Sequence, residues 1–455
     1  MDSRVENDLV ETSSAAAEEA DLAEREAEYE KFVWDNLKRN YVGHYLHGML
    51  GMTGFRLVNA PTFLPAYLHA ISGSNTIVGL GLALQQVGGI ISPIFGATRI
   101  EHKKRVMPAA MWMGGLARLQ VLGMAISGWL LSGQSLVIAL LSFMFLFGLF
   151  MGTQRVVFSI LMSKVIPISR RGRLQAWRNA TGGAIAAVLA YVAGRYFIEA
   201  NLWGNGYSTT FLFAAVLTTA GLTALQFLMV EPEPPTVRAK TRFRDRLRDF
   251  PALIKSDPAY MYFMIVQMLT VSGRMAVPFY ILFVSSSMEL TGKTLGALSL
   301  AYLGADTISN ILWGYVGDKT GFRLVMVSSI ALWIAATVLL IFAEPLAAIS
   351  GLPVAIPILV AFFGLGGSQS GYMMAAGTMI LEFGSRDELA MRVAFSSTAE
   401  GIMASAGPLL GGIISTVLGY HVLFWTSIGF LASGLVLMLI KVPEPRISRL
   451  RLQEE

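Results

Sequence analysis

Long apolar segments follow one another along almost the whole of this 455-residue chain. A helix needs roughly 20 mostly apolar residues to cross the hydrocarbon core of a bilayer, which is about 30 Å thick. Because only helices and closed barrels satisfy their own backbone in lipid, repeated segments of this length predict an all-α, polytopic membrane protein. We predict twelve transmembrane helices, over residues 42–71, 76–97, 107–131, 135–164, 174–198, 209–230, 258–285, 294–316, 324–343, 353–381, 392–418 and 420–441.

The composition agrees with this prediction and excludes several classes of function. Apolar residues make up 54% of the chain and charged residues 14%, and the mean hydropathy is +0.57. A soluble protein carries about 25% charged residues. The chain has no cysteine, so disulfides, thiolate metal sites and thiol catalysis are excluded. Its histidines show no metal-ligand or nucleophile-base spacing, and we expect no cofactor, no bound metal and no enzymatic activity.

Positive charge is concentrated in alternate loops, and this asymmetry predicts the orientation of the chain. If both termini are cytoplasmic, the cytoplasmic loops contain the cation clusters at 99–105, 164–173 and 238–255, while the opposite loops offer only Arg195 and Lys293. Lys and Arg are retained on the cytoplasmic side. We therefore predict cytoplasmic termini and a bacterial-type inner (plasma) membrane. The pI of 9.3 then reflects topology, and we expect no nucleic-acid binding.

Polar segments divide the chain into two halves. An acidic cytoplasmic tail is expected over 1–40, a six-helix bundle over 41–231, a cytoplasmic loop over 232–257, a second bundle over 258–442 and a cytoplasmic tail over 443–455. The sixth predicted helix ends at Val230-Glu-Pro-Glu-Pro234, and the twelfth ends at the similar sequence Val442-Pro-Glu-Pro445. Proline cannot continue a helix, and the shared ending indicates an internal duplication.

Two arginines lie near the middle of the first and seventh predicted helices, Arg56 and Arg274. The residues 40 and 49 positions further on also match between the halves: they are Gly96 and Gly314, and Arg105 and Arg323. An unpaired charge at mid-bilayer costs several kcal/mol, so an arginine there is a candidate functional residue by default. The matched spacing indicates that both halves kept this cation.

The loop after the eighth predicted helix reads Gly314-Tyr-Val-Gly-Asp318-Lys319-Thr-Gly321-Phe-Arg323. It resembles the loop signature of the major facilitator superfamily, G-x-x-x-D-[RK]-x-G-x-[RK]. We expect Gly314 to let neighbouring helices approach, and Asp318 to cap the next helix. The gating residues that the resemblance implies are Asp318, Lys319, Arg323 and Gly314, with Glu101 and Arg105 in the less complete first-half copy.

This resemblance covers roughly 40–445 and implies two pseudo-symmetric six-helix bundles that work by alternating access. In that family helices 1, 4, 7 and 10 line the cavity. Asn59 shares a helical stripe with Arg56, as Gln267 does with Arg274. The substrate-binding candidates are therefore Arg56, Asn59, Arg155, Gln267, Arg274 and Gln369. The alternative is structural: the arginines form internal salt bridges, and the amide side chains are hydrogen-bonded between helices.

Two acidic residues in predicted membrane helices are candidates for proton coupling. Asp306 lies near the middle of the eighth helix, and Glu400 lies about two turns into the eleventh. A carboxyl group in a membrane core can take up and release a proton as the cavity opens to each side. The alternatives are a hydrogen bond between helices for Asp306 and a cytoplasmic gate contact for Glu400.

Together these features favour a secondary transporter of a small organic anion, because two guanidiniums at one cavity offer bidentate contacts to phosphate or carboxylate. We expect a proton-coupled monomer in the lipid bilayer. Two alternatives stay open. The richness in Met and aromatic residues is compatible with a proton-driven exporter of hydrophobic or amphipathic compounds. The same fold also accommodates a non-transporting membrane receptor or assembly factor.

Overall fold

Helices account for nearly all of the chain that the computed structural model describes, which is residues 20–100, 104–235, 257–383 and 389–445, without the side chains of 92–100, 389–391 and 394. No strand occurs within those ranges. The helices of the first half are α1 (20–35), α2 (Leu37–Asn59), α3 (Phe63–Ser72), α4 (Asn75–Ile100), α5 (Met107–Leu130), α6 (Gly133–Val165), α7 (Ile168–Val192) and α8 (Gly206–Leu228). Those of the second half are α9 (Pro258–Gly273), α10 (Val277–Val284), α11 (Gly292–Thr320), α12 (Phe322–Ile341), α13 (Ala343–Ser350), α14 (Ala355–Glu382), α15 (Leu389–Val417) and α16 (Tyr420–Lys441).

Nine helices within the described ranges are long and apolar enough to cross a membrane. The prediction of an all-α, multi-span protein is thereby confirmed, whereas the count of twelve spans stays a prediction. The three predicted segments outside this set are the broken pair α2–α3, the helix α4 and the helix α14. In α4 only Asn75–Ile91 qualifies, as a shorter apolar helix.

The first and seventh predicted helices are each broken where a proline follows an arginine. Ala60 is extended, with φ −56° and ψ 136°, because the residue before Pro61 is pushed out of the helical region. In the second half a 3₁₀ turn, Arg274–Ala276, separates α9 from α10, and Pro278 lies in the first turn of α10. Both arginines therefore lie within about one turn of a break in a membrane helix.

Helix packing repeats between the two halves. The first-half contacts α4–α6, α2–α8, α5–α6, α5–α8 and α2–α7 recur as α11–α14, α9–α16, α12–α14, α12–α16 and α9–α15. The two bundles meet mainly along α4–α15 and α7–α11. The sequence repeat is thus also a repeat of helix packing.

Small residues allow the two bundles to approach closely at these crossings. A Cβ at Gly194, in the π-helical turn after α7, would meet the Gly292 carbonyl oxygen at 2.4 Å. In the other crossing, a Cβ at Gly79 of α4 would meet the Pro408 carbonyl oxygen of α15 at 2.2 Å. Close backbone contact of this kind stabilises helix pairs in membranes, where apolar surface alone gives no preference for protein over lipid.

Candidate functional site

A cavity of about 800 Å³ lies between the two bundles. Its walls come from α2, α6 and α7 of the first bundle and from α11 and α14 of the second. The cavity extends from the middle of α2 towards one side of the molecule. The first and last described residues lie on that side, and we call it the terminal side. Its charged and amide-bearing lining residues are His44, His47, Arg56, Asn59, Gln154, Arg155, Gln175, Arg178, Asn179, Asp306, Asn310 and Gln369.

An ion pair between Arg56 of α2 and Asp306 of α11 connects the two bundles on the cavity wall. The guanidinium Nη1 lies 2.9 Å from Oδ2 of Asp306, and the two side chains are 20% and 15% exposed. The same nitrogen donates to the Thr307 hydroxyl at 3.1 Å. Asn59, one turn further along α2, accepts a 2.6 Å hydrogen bond from Gln85 of α4. The pair is therefore held between α2 and α11 and still faces the cavity, while a separate hydrogen bond ties α2 to α4.

Arg274 has different surroundings from its sequence counterpart. Its guanidinium carbon lies 5.8 Å from the ring centroids of both Trp333 and Tyr372, a cation–π arrangement. Tyr372 donates a 2.9 Å hydrogen bond to Glu400, whose carboxylate is within electrostatic range of Arg274. No carboxylate of the described residues lies within 4.0 Å of the Arg274 guanidinium. Arg274 and Glu400 do not line the cavity and belong to a cluster inside the second bundle.

The remaining substrate-binding candidates divide between the cavity and the protein interior. Arg155 and Gln369 line the cavity, on α6 and α14. Gln267 does not line it: its side chain is 3% exposed and accepts a 2.6 Å hydrogen bond from Ser396, which ties α9 to α15. Gln267 is hydrogen-bonded between two helices and does not reach the cavity, because the face of α9 that carries it packs against α15.

Sequence reasoning gave no binding role to several residues of the terminal-side wall. His44 and His47 are 1% and 5% exposed, and each has one ring nitrogen without a hydrogen-bond partner. Arg178 also lines this part of the cavity. The sequence signal was the spacing of the two histidines, because residues three apart lie on one face of a helix. Counting fixed charges, three guanidiniums and one carboxylate line the cavity.

The predicted gate loops lie on the terminal side, and each contacts the carboxylate-bearing end of its own half. In the second half, Arg323 donates to the carbonyl oxygens of Val442 and Leu439 at 2.6 and 2.9 Å. Glu444 accepts the backbone N–H of Arg323 at 2.9 Å and so satisfies this donor at the start of α12. Capping of α12 by Asp318 stays a prediction. Lys319 lies over the ring of Tyr315, 5.4 Å from its centroid.

The first half repeats this arrangement with its own acidic residues. Arg105 is 3.0 Å from Glu233. Glu231 accepts the N–H groups of Val106 and Met107, both at 2.7 Å, and thereby caps α5. Glu101 lies outside the described residues. A Cβ at Gly314 would meet no atom of the described residues within 4 Å, and the predicted close approach at that glycine stays a prediction.

On the opposite side, which we call the far side, contacts between the bundles close the cavity. Thr62 and Ser299 share a hydrogen bond of 2.5 Å, and Thr76 and Thr416 share one of 3.1 Å. Tyr420 donates to Asn75, also at 3.1 Å. The structure is therefore closed at the far side and open at the terminal side.

Glu199 adds a charged contact to the far-side closure. Its carboxylate accepts the backbone N–H of Lys293, at 3.0 Å, in the first turn of α11. That N–H, together with the Thr291 hydroxyl and Arg195, holds the pKa of the Glu199 carboxyl below its usual value. A carboxylate at the positive end of a helix dipole is stabilised in its charged form. The contact joins the end of α7 in the first bundle to α11 in the second.

Comparisons with known proteins agree with the fold and with the internal repeat. The family model described as Major Facilitator Superfamily matches residues 46–288 and 263–455. The structure is similar to that of a mutant of the nucleoside transporter NupG, with TM-score 0.69 and 12% identity over 89% of this chain and 100% of the other. It is also similar to a D-xylose-proton symporter, with TM-score 0.64 and 15% identity over 90% and 97%. No curated protein matches the sequence.

Proposed function

Because the chain belongs to the Major Facilitator Superfamily of membrane transporters, we propose that it carries a small organic anion across the inner membrane by alternating access, with proton coupling. The observation that carries this proposal is the Arg56–Asp306 ion pair, which joins the two bundles on the wall of the cavity. An anionic group in the cavity competes with Asp306 for the Arg56 guanidinium. Binding and the contact between bundles are thereby linked through one side chain.

The charge of the cavity favours an anion. Arg56, Arg155 and Arg178 line it, and Asp306 is the only carboxylate among its lining residues. With Asp306 ionised, two positive charges are left for the substrate to neutralise. A guanidinium offers planar, paired N–H donors that match a carboxylate or a phosphate. Asn59 and Gln369, on facing helices, supply further donors and acceptors for the rest of the molecule.

Proton coupling follows from the same competition. When the substrate takes over Arg56, Asp306 loses its cation and keeps a partly buried negative charge, which is costly unless the carboxylate binds a proton. Protonation of Asp306 is therefore favoured by anion binding, and release of the proton favours restoration of the ion pair. Glu400, hydrogen-bonded to Tyr372 and near Arg274, is the second proton site that we propose.

The orientation proposed from the loop charges puts the termini and the open end of the cavity in the cytoplasm. The far-side contacts then form the periplasmic or external closure. We also propose that one chain is the working unit, because the cavity lies between two bundles of the same polypeptide. Reporter fusions at the two ends test the orientation: activity of a cytoplasm-dependent reporter at both ends is expected, and activity of an exported reporter at either end contradicts it.

A second candidate function is supported by the apolar part of the cavity wall, which bears methionines of several helices: Met52, Met151, Met162, Met373 and Met374. Methionine side chains are flexible and polarizable, and they adapt to varied apolar ligands. A proton-driven exporter of hydrophobic or amphipathic compounds would use this surface and would leave the Arg56–Asp306 pair intact. The two functions differ in whether removal of Arg56 abolishes ligand binding.

The deciding experiment is thermal unfolding of the purified protein with phosphate esters, carboxylates, neutral sugars and nucleosides, and hydrophobic cations. A ligand that binds the native state raises Tm, by the equivalent of about 2.7 kcal/mol at a concentration 100 times its Kd. We expect anions alone to raise Tm, and Arg56→Gln to abolish that rise. Arg25→Gln, which removes an exposed arginine paired with Asp21, is the matched control.

Three results contradict the anion proposal. Stabilisation by hydrophobic cations alone supports the exporter, and an anion response that survives in Arg56→Gln excludes the proposed role of this residue. If no small molecule stabilises the protein and reconstituted vesicles show no flux, the receptor or assembly-factor alternative is favoured.

A further inference from the structure

A second cavity, of about 530 Å³, lies between α2 and α7 on the terminal side. Two helical stripes form its walls, each with cations at its outer end and aromatic rings further along the helix. The stripe on α2 follows a spacing of three and four residues and consists of Lys38, Tyr41, Val42 and Tyr45; the stripe on α7 consists of Arg170, Arg173 and Trp177. We refer to this cavity as the α2–α7 groove.

The groove is separate from the substrate cavity and faces the lipid. On α7, Arg178 lines the substrate cavity, whereas Arg173 and Trp177 line the groove and lie roughly 100–140° further around the helix. Trp177 is 52% exposed, and the apolar residues Ile185 and Val188, further along the same side of α7, are exposed as well. Val42, on α2, is 41% exposed. Exposed apolar side chains along a membrane helix mark its lipid-facing side.

The cations of the groove are not neutralised within the described part of the chain. No described carboxylate lies within 4.0 Å of Lys38, Arg170 or Arg173. The first turn of α7 contains no acidic residue, and its free N–H groups add a partial positive charge of about +0.5. By contrast, the neighbouring Arg171 is satisfied by the carbonyl oxygens of Ile166 and Ser163. Among the described residues, the three cations of the groove therefore have no ion-pair partner and are available to an anion.

The order of groups along the groove matches the cross-section of one leaflet. The cations lie at the outer ends of both helices, and the rings of Tyr41, Tyr45 and Trp177 follow within about 5–10 Å along the axes, at 1.5 Å per residue. Tyr and Trp favour the level between headgroups and hydrocarbon. Beyond the rings, the exposed side chains are apolar. A phospholipid presents phosphate, glycerol ester and acyl chain in this order.

We propose that the α2–α7 groove binds an anionic phospholipid of the terminal-side leaflet. Lys38, Arg170 and Arg173 contact the phosphodiester headgroup, while the three rings flank the glycerol ester and the upper acyl chain. Basic side chains next to a membrane helix gain about 1 kcal/mol each from an anionic membrane surface. The bound lipid bridges the outer ends of α2 and α7, the helices of the first bundle that carry Arg56 and Arg178.

The test compares lipid binding by the full-length protein in neutral detergent. Phosphatidylglycerol and phosphatidylcholine are added separately, and binding is measured by native mass spectrometry and by the rise in Tm. We expect phosphatidylglycerol to bind several-fold more tightly than phosphatidylcholine. The triple variant Lys38→Gln, Arg170→Gln, Arg173→Gln is expected to lose this preference. The control Arg25→Gln, Lys31→Gln, Arg39→Gln removes three exposed cations near the same end and is expected to keep it.

A second measurement locates the bound lipid and does not require the triple variant to fold. Phosphatidylglycerol with brominated acyl chains quenches nearby tryptophans, and Trp177→Phe is expected to remove a measurable part of that quenching. Quenching unchanged in Trp177→Phe overturns the proposal. So does an equal response to inorganic phosphate or glycerol phosphate, which would assign the groove to a free phosphate, or an equal loss of preference in the control variant.

Discussion

At the scale of single residues, the Arg56–Asp306 pair is the contact on which the proposed mechanism depends. A partly buried ion pair pays for the dehydration of both charges and adds little net stability. Such a pair can act as a switch, because an anionic ligand can replace Asp306 at the Arg56 guanidinium and a proton can neutralise the Asp306 carboxylate. Arg274 illustrates the opposite case: its guanidinium lies 5.8 Å from the centroids of two aromatic rings and has no described carboxylate within ion-pair distance.

We predict that Asp306→Asn uncouples anion binding from pH. The competing carboxylate is removed from Arg56, and a charge-assisted hydrogen bond is worth about 1.5–3 kcal/mol, so the anion identified by thermal shift should bind about tenfold more tightly. In reconstituted vesicles, downhill exchange should persist and proton-driven accumulation should be lost. Accumulation at the wild-type level would show that Asp306 is not the coupling residue.

The Glu199 contact on the far side predicts a second, separate pH effect. Because the folded-state pKa of Glu199 is lowered, its contribution to far-side closure is present above the usual carboxyl pKa and is lost as the pH falls through the lowered value. The chain has no native cysteine, so Ser299→Cys, a buried far-side position, reports opening by its reaction with a maleimide. Acidification should increase maleimide labelling of the Ser299→Cys variant. When Glu199→Gln is added to that variant, labelling should already be high at neutral pH and should change little on acidification.

At the scale of helices, close crossings decide which conformation the bundles adopt. The far-side crossing of α7 and α11 depends on glycines, and a carbonyl oxygen occupies the space that a Cβ at Gly194 would need. At Gly314, on the terminal side, no atom of the described residues occupies that space. This difference is expected of a protein that closes one side at a time, since each side needs close contact in only one of the two conformations.

We predict that Gly194→Val opens the far side. The added side chain clashes with the backbone of Gly292 and Gly296, at 2.4 and 2.5 Å from the new Cβ, and the clash is relieved by separation of α7 from α11. Spin labels at Gln134→Cys and Ser286→Cys, one on each bundle, should show a longer distance. Gly304→Val is the matched control on α11, where a Cβ meets nothing within 4 Å, and an equal lengthening in that variant would rule out the crossing as the cause.

In the molecule as a whole, two bundles of similar packing contact each other along the α4–α15 and α7–α11 crossings, and the cavity lies between them. Each bundle also anchors its gate loop to its own carboxyl end, through Glu231 and Glu444. Each gate loop is therefore attached within its own bundle, so a change of conformation needs to break only the contacts between the bundles. This arrangement is the one that a rocking motion about a central site requires.

We predict that a cross-link across the far side stops transport. Thr76 and Thr416 lie on α4 and α15 with their hydroxyl oxygens 3.1 Å apart, so Thr76→Cys with Thr416→Cys should form a disulfide under oxidation. Flux of the stabilising anion should fall to background and return on reduction, while each single variant stays active. Continued flux in the fully cross-linked protein would contradict alternating access at this surface.

The membrane class, the order of the helices, the duplication and the residues that bring charge into the membrane could all be predicted from the amino-acid sequence. These features depend on apolar length and on helical spacing, which are local properties. The sequence also predicted Arg56, Arg155 and Gln369 for the cavity, and all three line it. The packing of the helices, by contrast, was needed to show that Arg56 meets Asp306, that Gln267 bonds to Ser396, and that Arg274 lies over aromatic rings. The periodicity of one helix defines its faces, but the partner of each face depends on how all the helices pack.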